Sequence, residues 1–468
     1  MAKKITISDM IFMNVVALLG IRWFATAGQY GAASVILWVL AAFLYFVPMS
    51  YIFAELSTVF PNRKGGFVDW VKEIFGEEVA FYSSWFYFVA NLFYYPTILT
   101  FAAVCIAYPI SPELAQNKLF ISIFVIVFVW IGTFINIRGV NVLAVFAKYG
   151  GIIGNIIPII ALVILALLAV FVYNHPIPTN FSFDQWIPDL NTGNLLFLCT
   201  LTFAMAGGEI TSPFAANMRN PKRDFATATL ISALLISVCY VIGTIALTLV
   251  LNPADIGAAN GIIAVIEKAS RNIGMVWLAS IIAVLIAVAG VSGTALWMAG
   301  SIRMFVKGND EKYVPAFMRK NNKNDIAYNA LILQAFIVTF VFILTASMSS
   351  VESIYIILIL MTTIQLFIVY VIIIAAYYKL KFKMQKGDKF RGAFESPGKK
   401  TGAFIICFIA MVSTVATILI PLFSIPADTN VLVYELEMIG GPVIFFLLAY
   451  WIIRNAKKKH AKKAVKTN

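Results

Sequence analysis

The sequence predicts an all-α integral membrane protein of about twelve transmembrane helices. The first ten form two five-helix sets of inverted topology, with helices 1 and 6 broken. Three observations predict it. The 468 residues are 61% hydrophobic and only 12% charged, with a mean hydropathy of +0.90, whereas a soluble domain carries about a quarter charged residues. Apolar runs of about 20 residues, enough to cross roughly 30 Å of hydrocarbon, recur from end to end. Two of them, the first and the sixth, are interrupted near the middle by Gly20 and by Gly207-Gly208.

The spans follow in order. Residues 8–30 begin after Lys3 and Lys4, and no small-residue cleavage site is present, so this first apolar segment is expected to be retained. Residues 33–60 run into a loop with Arg63, Lys64 and Lys72, and residues 80–107 leave it. Residues 119–136 lie between Lys118 and Arg138. Residues 146–172 and 192–216 are joined by a loop holding Asp184 and Asp189. Residues 226–251 start after Arg219, Lys222 and Arg223, and 273–302 lead into a basic loop from Arg303 to Lys323. Residues 327–347 and 353–379 flank Glu352, and a second basic loop runs from Lys379 to Lys400. Residues 402–423 and 439–455 complete the set. The whole of 1–468 reads as a single transmembrane domain: a ten-helix core at 8–379, two more helices at 402–455, and a basic tail at 456–468.

The loops alternate in charge. Thirty of the 35 Lys and Arg fall on the side of the N-terminus, against Lys118, Lys268 and Arg271 on the other. By the positive-inside rule the first side is cytoplasmic, which places both termini inside a plasma-membrane protein. The formal net charge of +13 is therefore a topology signal beside anionic lipid head groups, and no nucleic-acid partner is expected. The bilayer is the expected surroundings, and the oligomeric state is left open. Cys105, Cys199, Cys239 and Cys407 all sit in apolar runs without metal-ligand or disulfide spacing, and the only histidines are His175 and His460. No metal site, cofactor or catalytic group is expected. A channel would need a repeated polar stripe and a hydrolase a nucleophile with its base at depth; neither pattern is present.

Chemistry concentrates at the two breaks. In hydrocarbon, freed backbone groups survive only where they line a cavity or are buried in protein. Span one carries Leu19-Gly20-Ile21-Arg22, and span six carries Phe203 and then Ala206-Gly207-Gly208-Glu209. Spans one and six open successive sets of five, so the second set crosses the membrane in the opposite direction. Paired breaks in such sets are how a secondary transporter builds a solute site at the midplane. A half-helix N-terminus favours a carboxylate, and exposed carbonyls favour an ammonium, so the expected solute is an amino acid or amine. Arg22 and Lys148 are the basic residues left inside spans, Lys148 within reach of the interface by its long stem. Glu209 is either a proton-linked or gating carboxylate or the brace of its break. Asn91, Tyr94 and Tyr95 of span three are polar groups at depth, and Ser292-Gly293-Thr294 of span eight either pack closely or line the site.

The stretch AMAGGEITSPFAANMRNPKRDF, with Phe203 before it, resembles the sixth span and following loop of the amino acid–polyamine–organocation superfamily. The first loop, with Ala54-Glu55-Leu56, Pro61, Gly65-Gly66, Trp70-Val71 and Phe75-Gly76, resembles that superfamily's signature between spans two and three. Where most members have Gly-small-Gly in span one, this chain has Leu18-Leu19-Gly20-Ile21-Arg22. That departure, followed by Ala27, Tyr30 and Gly31, is similar to the glutamate/γ-aminobutyrate antiporter family. The resemblance implies a LeuT-type five-plus-five repeat and exchange of an amino acid for a related amine or amino acid. It implies that Leu19, Gly20, Ile21 and Arg22 face the solute carboxylate, that the carbonyls of Ala206, Gly207 and Gly208 face its amine, and that Phe203 is a lid. Asn91, Tyr94, Tyr95 and Thr294 complete the expected substrate contacts, with Glu209 and Lys148 as gating or proton-linked groups. The alternative on the same scaffold is a proton-coupled symporter. The interior of span five, Gly150-Gly151-Ile152-Ile153-Gly154-Asn155, is neutral and favours exchange, while a one-turn shift brings Lys148 back.

Overall fold

The computed structural model describes residues 5–467 apart from 61–64, 190, 221–222, 346–349, 385–389, 391, 393 and 424–433. Pro61, Arg63, Lys64, Pro221 and Lys222 lie outside the described residues, as does the side chain of Lys148.

The first apolar run folds as two helices, α1 (Ile7–Leu18) and α2 (Arg22–Gly28), bent by 55° at the intervening residues. Thr6 starts α1 with a capping box: its hydroxyl accepts the Asp9 N–H while the Asp9 carboxylate accepts the Thr6 N–H. The helix stops where Leu19 turns extended, at φ −74° and ψ 102°. The next run, α3 (Ala33–Val59), stays continuous by widening to a π-turn at Ala42–Phe46 just before Pro48. A proline lacks the N–H that would reach back four residues and clashes with that carbonyl, and a π-turn absorbs both defects.

The loop after α3 holds a helix that hydropathy alone passes over, α4 (Phe67–Phe75). Phe67, Trp70, Val71 and Ile74 recur at i, i+3, i+4 and i+7, and all four are buried. It leads into α5 (Glu77–Ala107), the central post, which packs on α6 (Lys118–Arg138). Next comes α7 (Tyr149–Val172), which again widens to a π-turn, at Ile152–Ile156, ahead of Pro158. The sixth run is the helix α8 (Thr192–Ala204), a turn, and a 3-10 stretch at Gly208–Asn217. Beyond it are α9 (Asp224–Thr248), the amphipathic α10 (Gly261–Asn272) and α11 (Trp277–Gly308). The chain continues with α12 (Tyr328–Thr345), α13 (Val351–Met384), α14 (Lys399–Phe423) and α15 (Met438–Lys459).

Among the described residues, ten helical runs are long and apolar enough to cross a membrane, and the bent pair makes an eleventh when taken as one. The apolar part of α12, Tyr328–Leu344, falls short of that length. All of this is helix; among the described residues the one extended pairing is an isolated bridge between Ile5 and Met218. Burial orders the runs. The apolar window of α5 is 89% buried, against 28% for α14 and 17% for α15, so α5 lies at the centre against α11 and α13 while the last two helices are peripheral. Glycines set the tightest approach. A Cβ on Gly154 would lie 2.4 Å from the Leu285 carbonyl oxygen, and one on Gly151 would lie 2.2 Å from Val16, so α7 sits hard against α11 and α1. The cysteines are free thiols, buried at 105, 199 and 407.

Candidate solute site at the helix breaks

The bend in α1–α2 and the break after α8 lie side by side, joined by a tyrosine from α9. The Tyr240 hydroxyl accepts the Gly20 N–H at 3.3 Å, and its O–H is shared between the Leu18 carbonyl at 2.9 Å and the Ala204 carbonyl at 3.0 Å. Each break frees carbonyls that a continuous helix would pair, and one phenol satisfies an end of both. Tyr240 is fully buried, stacked on Trp38 at 4.3 Å. Tyr240→Phe leaves two carbonyls short of a donor in an apolar setting. It is expected to cost about 1–3 kcal/mol, read as a lower unfolding temperature with Trp38 packing retained.

Below the second break, Gly207 sits at φ +114°, a conformation that favours glycine, and a Cβ there would lie 3.0 Å from Trp297. Its N–H donates to the Tyr370 hydroxyl at 2.9 Å, which in turn donates to Glu209 Oε2 at 2.9 Å. Glu209 is fully buried, and its Oε1 has no partner among the described residues. A second link joins the halves lower down: Thr211 donates to Asn14 Oδ1 at 2.6 Å, and Asn14 Nδ2 donates to Ser232 at 3.1 Å.

Arg22 is the charge between the breaks. It is 7% exposed, donates to the Tyr94 hydroxyl at 2.9 Å, and lies 4.5 Å from the Trp23 ring and 5.3 Å from the Tyr94 ring. Phe203 meets both rings edge-on, and Trp297 meets Tyr94 at 5.0 Å. Cation–π contact keeps a desolvated guanidinium in place without neutralising it. Among the described residues, no carboxylate lies within 4 Å of it, and its Nε is unpartnered.

Two cavities flank Arg22. One, of about 20 Å³, is lined by Arg22, Trp23, Asn91, Phe203, Ala206 and Thr362 among others. The other, of about 60 Å³, is lined by Leu19, Gly20, Ile21, Arg22 and Asn155 with Gly290 and Gly293. A water needs about 10–15 Å³ on this measure, so these spaces have room for water-sized groups and not for a whole amino acid. Asn91 donates to the Tyr87 carbonyl at 2.8 Å, and its Oδ1 has no partner among the described residues. Arg22 and Asn91, each with a buried polar atom unpartnered among the described residues (Nε and Oδ1), therefore line the same small cavity.

Of the residues singled out by sequence, Leu19, Gly20, Ile21, Arg22, Asn91, Tyr94, Phe203 and Ala206 border these cavities. Tyr95 does not: its hydroxyl pairs with Ser301 at 2.7 Å and accepts from Gln334 at 3.2 Å, tying α5 to α11 and α12. Thr294 bonds the Gly290 carbonyl of its own helix at 2.8 Å. Gly207, Gly208 and Glu209 do not line either cavity. Sequence reading missed Trp297, Asn155, Tyr240 and Tyr370. Trp297 lies seven residues after Gly290 and four after Gly293, so helical spacing places it on their face.

The amino acid permease family model matches residues 5–459. An uncharacterized transporter of Legionella pneumophila is 28% identical over 98% of this chain and 97% of its own. The glutamate/gamma-aminobutyrate antiporter of Lactococcus lactis is 24% identical over 89% of this chain and 83% of its own. A probable agmatine/putrescine antiporter of the same bacterium is 21% identical over 92% of this chain and 90% of its own.

Proposed function

Because the chain belongs to the amino acid permease family, within the amino acid–polyamine–organocation superfamily, we propose that this transporter of amino acids or amines works as an antiporter. It exchanges an amino acid for a related amine or amino acid by alternating access, through twelve spans of which the first ten form the inverted repeat. The observation that carries the reading is Arg22: a buried guanidinium with no carboxylate partner among the described residues, beside two helix ends joined through one phenol. Such a group awaits an anion, and a solute carboxylate supplies one. Asn91 Oδ1 and the carbonyls around Ala206 then receive the ammonium, and Phe203 closes over the solute. Glu209 fits the brace role, since its partner Tyr370 in turn accepts the Gly207 N–H. The basic loops, and with them both termini, face the cytoplasm of a cell membrane. Names of relatives agree with exchange: two of those above are antiporters.

Reconstitution into liposomes tests this. Labelled glutamate or γ-aminobutyrate is expected to enter only when unlabelled exchangeable solute is inside. Uptake into empty liposomes that follows an imposed proton gradient would overturn exchange in favour of symport.

A further inference from the structure

A second concave feature shares no lining residue with the cavities at the breaks; it lies between α13 and α14 and beside α4. It is a groove of about 420 Å³ with apolar walls from Ile374, Phe404, Cys407, Phe408 and Met411, and with Lys379 and Lys383 at one end. On α14, Phe404, Cys407, Phe408 and Met411 recur at i, i+3, i+4 and i+7 and so make one stripe. Lys400, four residues before Phe404, continues that stripe by one turn. On α13, Lys379 and Lys383 continue the stripe of Ile374 and Ala375 in the same way. Both walls change from apolar to basic at the same end, the end where α13 and α14 meet the Lys379–Lys400 loop.

The lysines differ in their commitments. Lys379 donates to the Ile74 carbonyl at 2.8 Å and lies 4.6 Å from the Phe75 ring, which fixes its amine at the rim. Lys383 and Lys400 are exposed and make no ion pair among the described residues. Phe404 and Phe408 are 51% and 60% exposed, so these apolar walls are open to the protein's surroundings.

From this we infer that the groove is a binding site for an anionic phospholipid, with an acyl chain along Phe404, Phe408 and Met411 and the phosphate among Lys379, Lys383 and Lys400. Charge complementarity decides the occupant. A lipid is apolar along its length and anionic at one end, as the groove is apolar along its length and cationic at one end. A second copy of the chain, docked about a two-fold axis, would bring the same lysines together.

Native mass spectrometry of the full chain, purified with equal amounts of phosphatidylglycerol and phosphatidylcholine, tests the site. Wild type is expected to retain phosphatidylglycerol severalfold over phosphatidylcholine. The Lys383→Glu/Lys400→Glu variant, changed only at exposed positions, is expected to lose that preference while staying monodisperse, and Lys383→Gln/Lys400→Gln to weaken it. Lys320→Glu/Lys323→Glu, exposed but away from the groove, is expected to keep it. The site is refuted by an absence of preference in wild type, by an unchanged preference in the groove variants, or by an equal loss in the Lys320/Lys323 control. Retention of a second chain in place of lipid also refutes it.

Discussion

Replacing Arg22 by alanine is expected to weaken solute exchange at limiting solute by roughly tenfold to over a hundredfold, while leaving the amount of folded protein close to wild type. The substitution removes one hydrogen bond to Tyr94 and two ring contacts. It strands no buried carboxylate, because among the described residues none is paired with the guanidinium. The structural loss is therefore modest, and Tyr94 still borders a cavity with room for water. What disappears is the site's own positive charge. A charge-assisted hydrogen bond is worth about 1.5–3 kcal/mol, which converts to a loss of roughly tenfold to over a hundredfold in solute affinity. Arg22→Lys is expected to fall between, since an ammonium keeps the charge but loses the planar fork. Liposome exchange read against monodisperse yield on a sizing column checks both variants. Exchange by Arg22→Ala at the wild-type rate would remove Arg22 from the site.

The second large effect lies at the end of α13. Glu55, fully buried at the end of α3, has Oε1 2.5 Å from Lys381 Nζ. Its Oε2 accepts from Tyr377 at 2.6 Å, from the Ser396 hydroxyl at 2.8 Å and from the Ser396 N–H at 3.0 Å. Lys381 is 3% exposed. One carboxylate thus ties α3, α13 and the segment before α14 together. Lys381→Met strands it without a counter-charge, and breaking a buried pair from one side costs about 3–5 kcal/mol. Adding Glu55→Gln should recover most of that loss, because the amide keeps an oxygen for Tyr377 and Ser396 and removes the charge. The unfolding temperatures of the two single variants and the double variant form the cycle. Additive losses would show that the pair is not coupled.

These two residues also mark what the sequence made legible. Arg22 stood out because a cation inside an apolar run is costly and rare. Glu55 was readable only as part of a loop signature, since its partner Lys381 is far along the chain and looked like one of a basic cluster. Span positions were legible for the same reason as Arg22: twenty apolar residues need no tertiary context. The amphipathic α4 and α10 were hidden by their polar faces, although Phe67, Trp70, Val71 and Ile74 carried the helical period. The site itself was half legible. Glycines announced where the helices break, yet nothing local says which side chain pairs the freed carbonyls. Tyr94 and Tyr95 were read together as solute contacts, but neighbouring residues point about 100° apart on a helix. Only Tyr94 borders the cavity; Tyr95 is drawn to Ser301 and Gln334.

The shared phenol of Tyr240 has a mechanical consequence. A displacement that carries the ends at Leu18 and Ala204 together keeps both of its contacts, whereas one that parts them breaks at least one. The cheap motion is a joint swing of the two half-helices about that pin. A carrier with such a linkage resists the posture in which one half yields inward while the other yields outward. That posture is a continuous leak, and the phenol's contacts add to its penalty beside the Thr211–Asn14–Ser232 link.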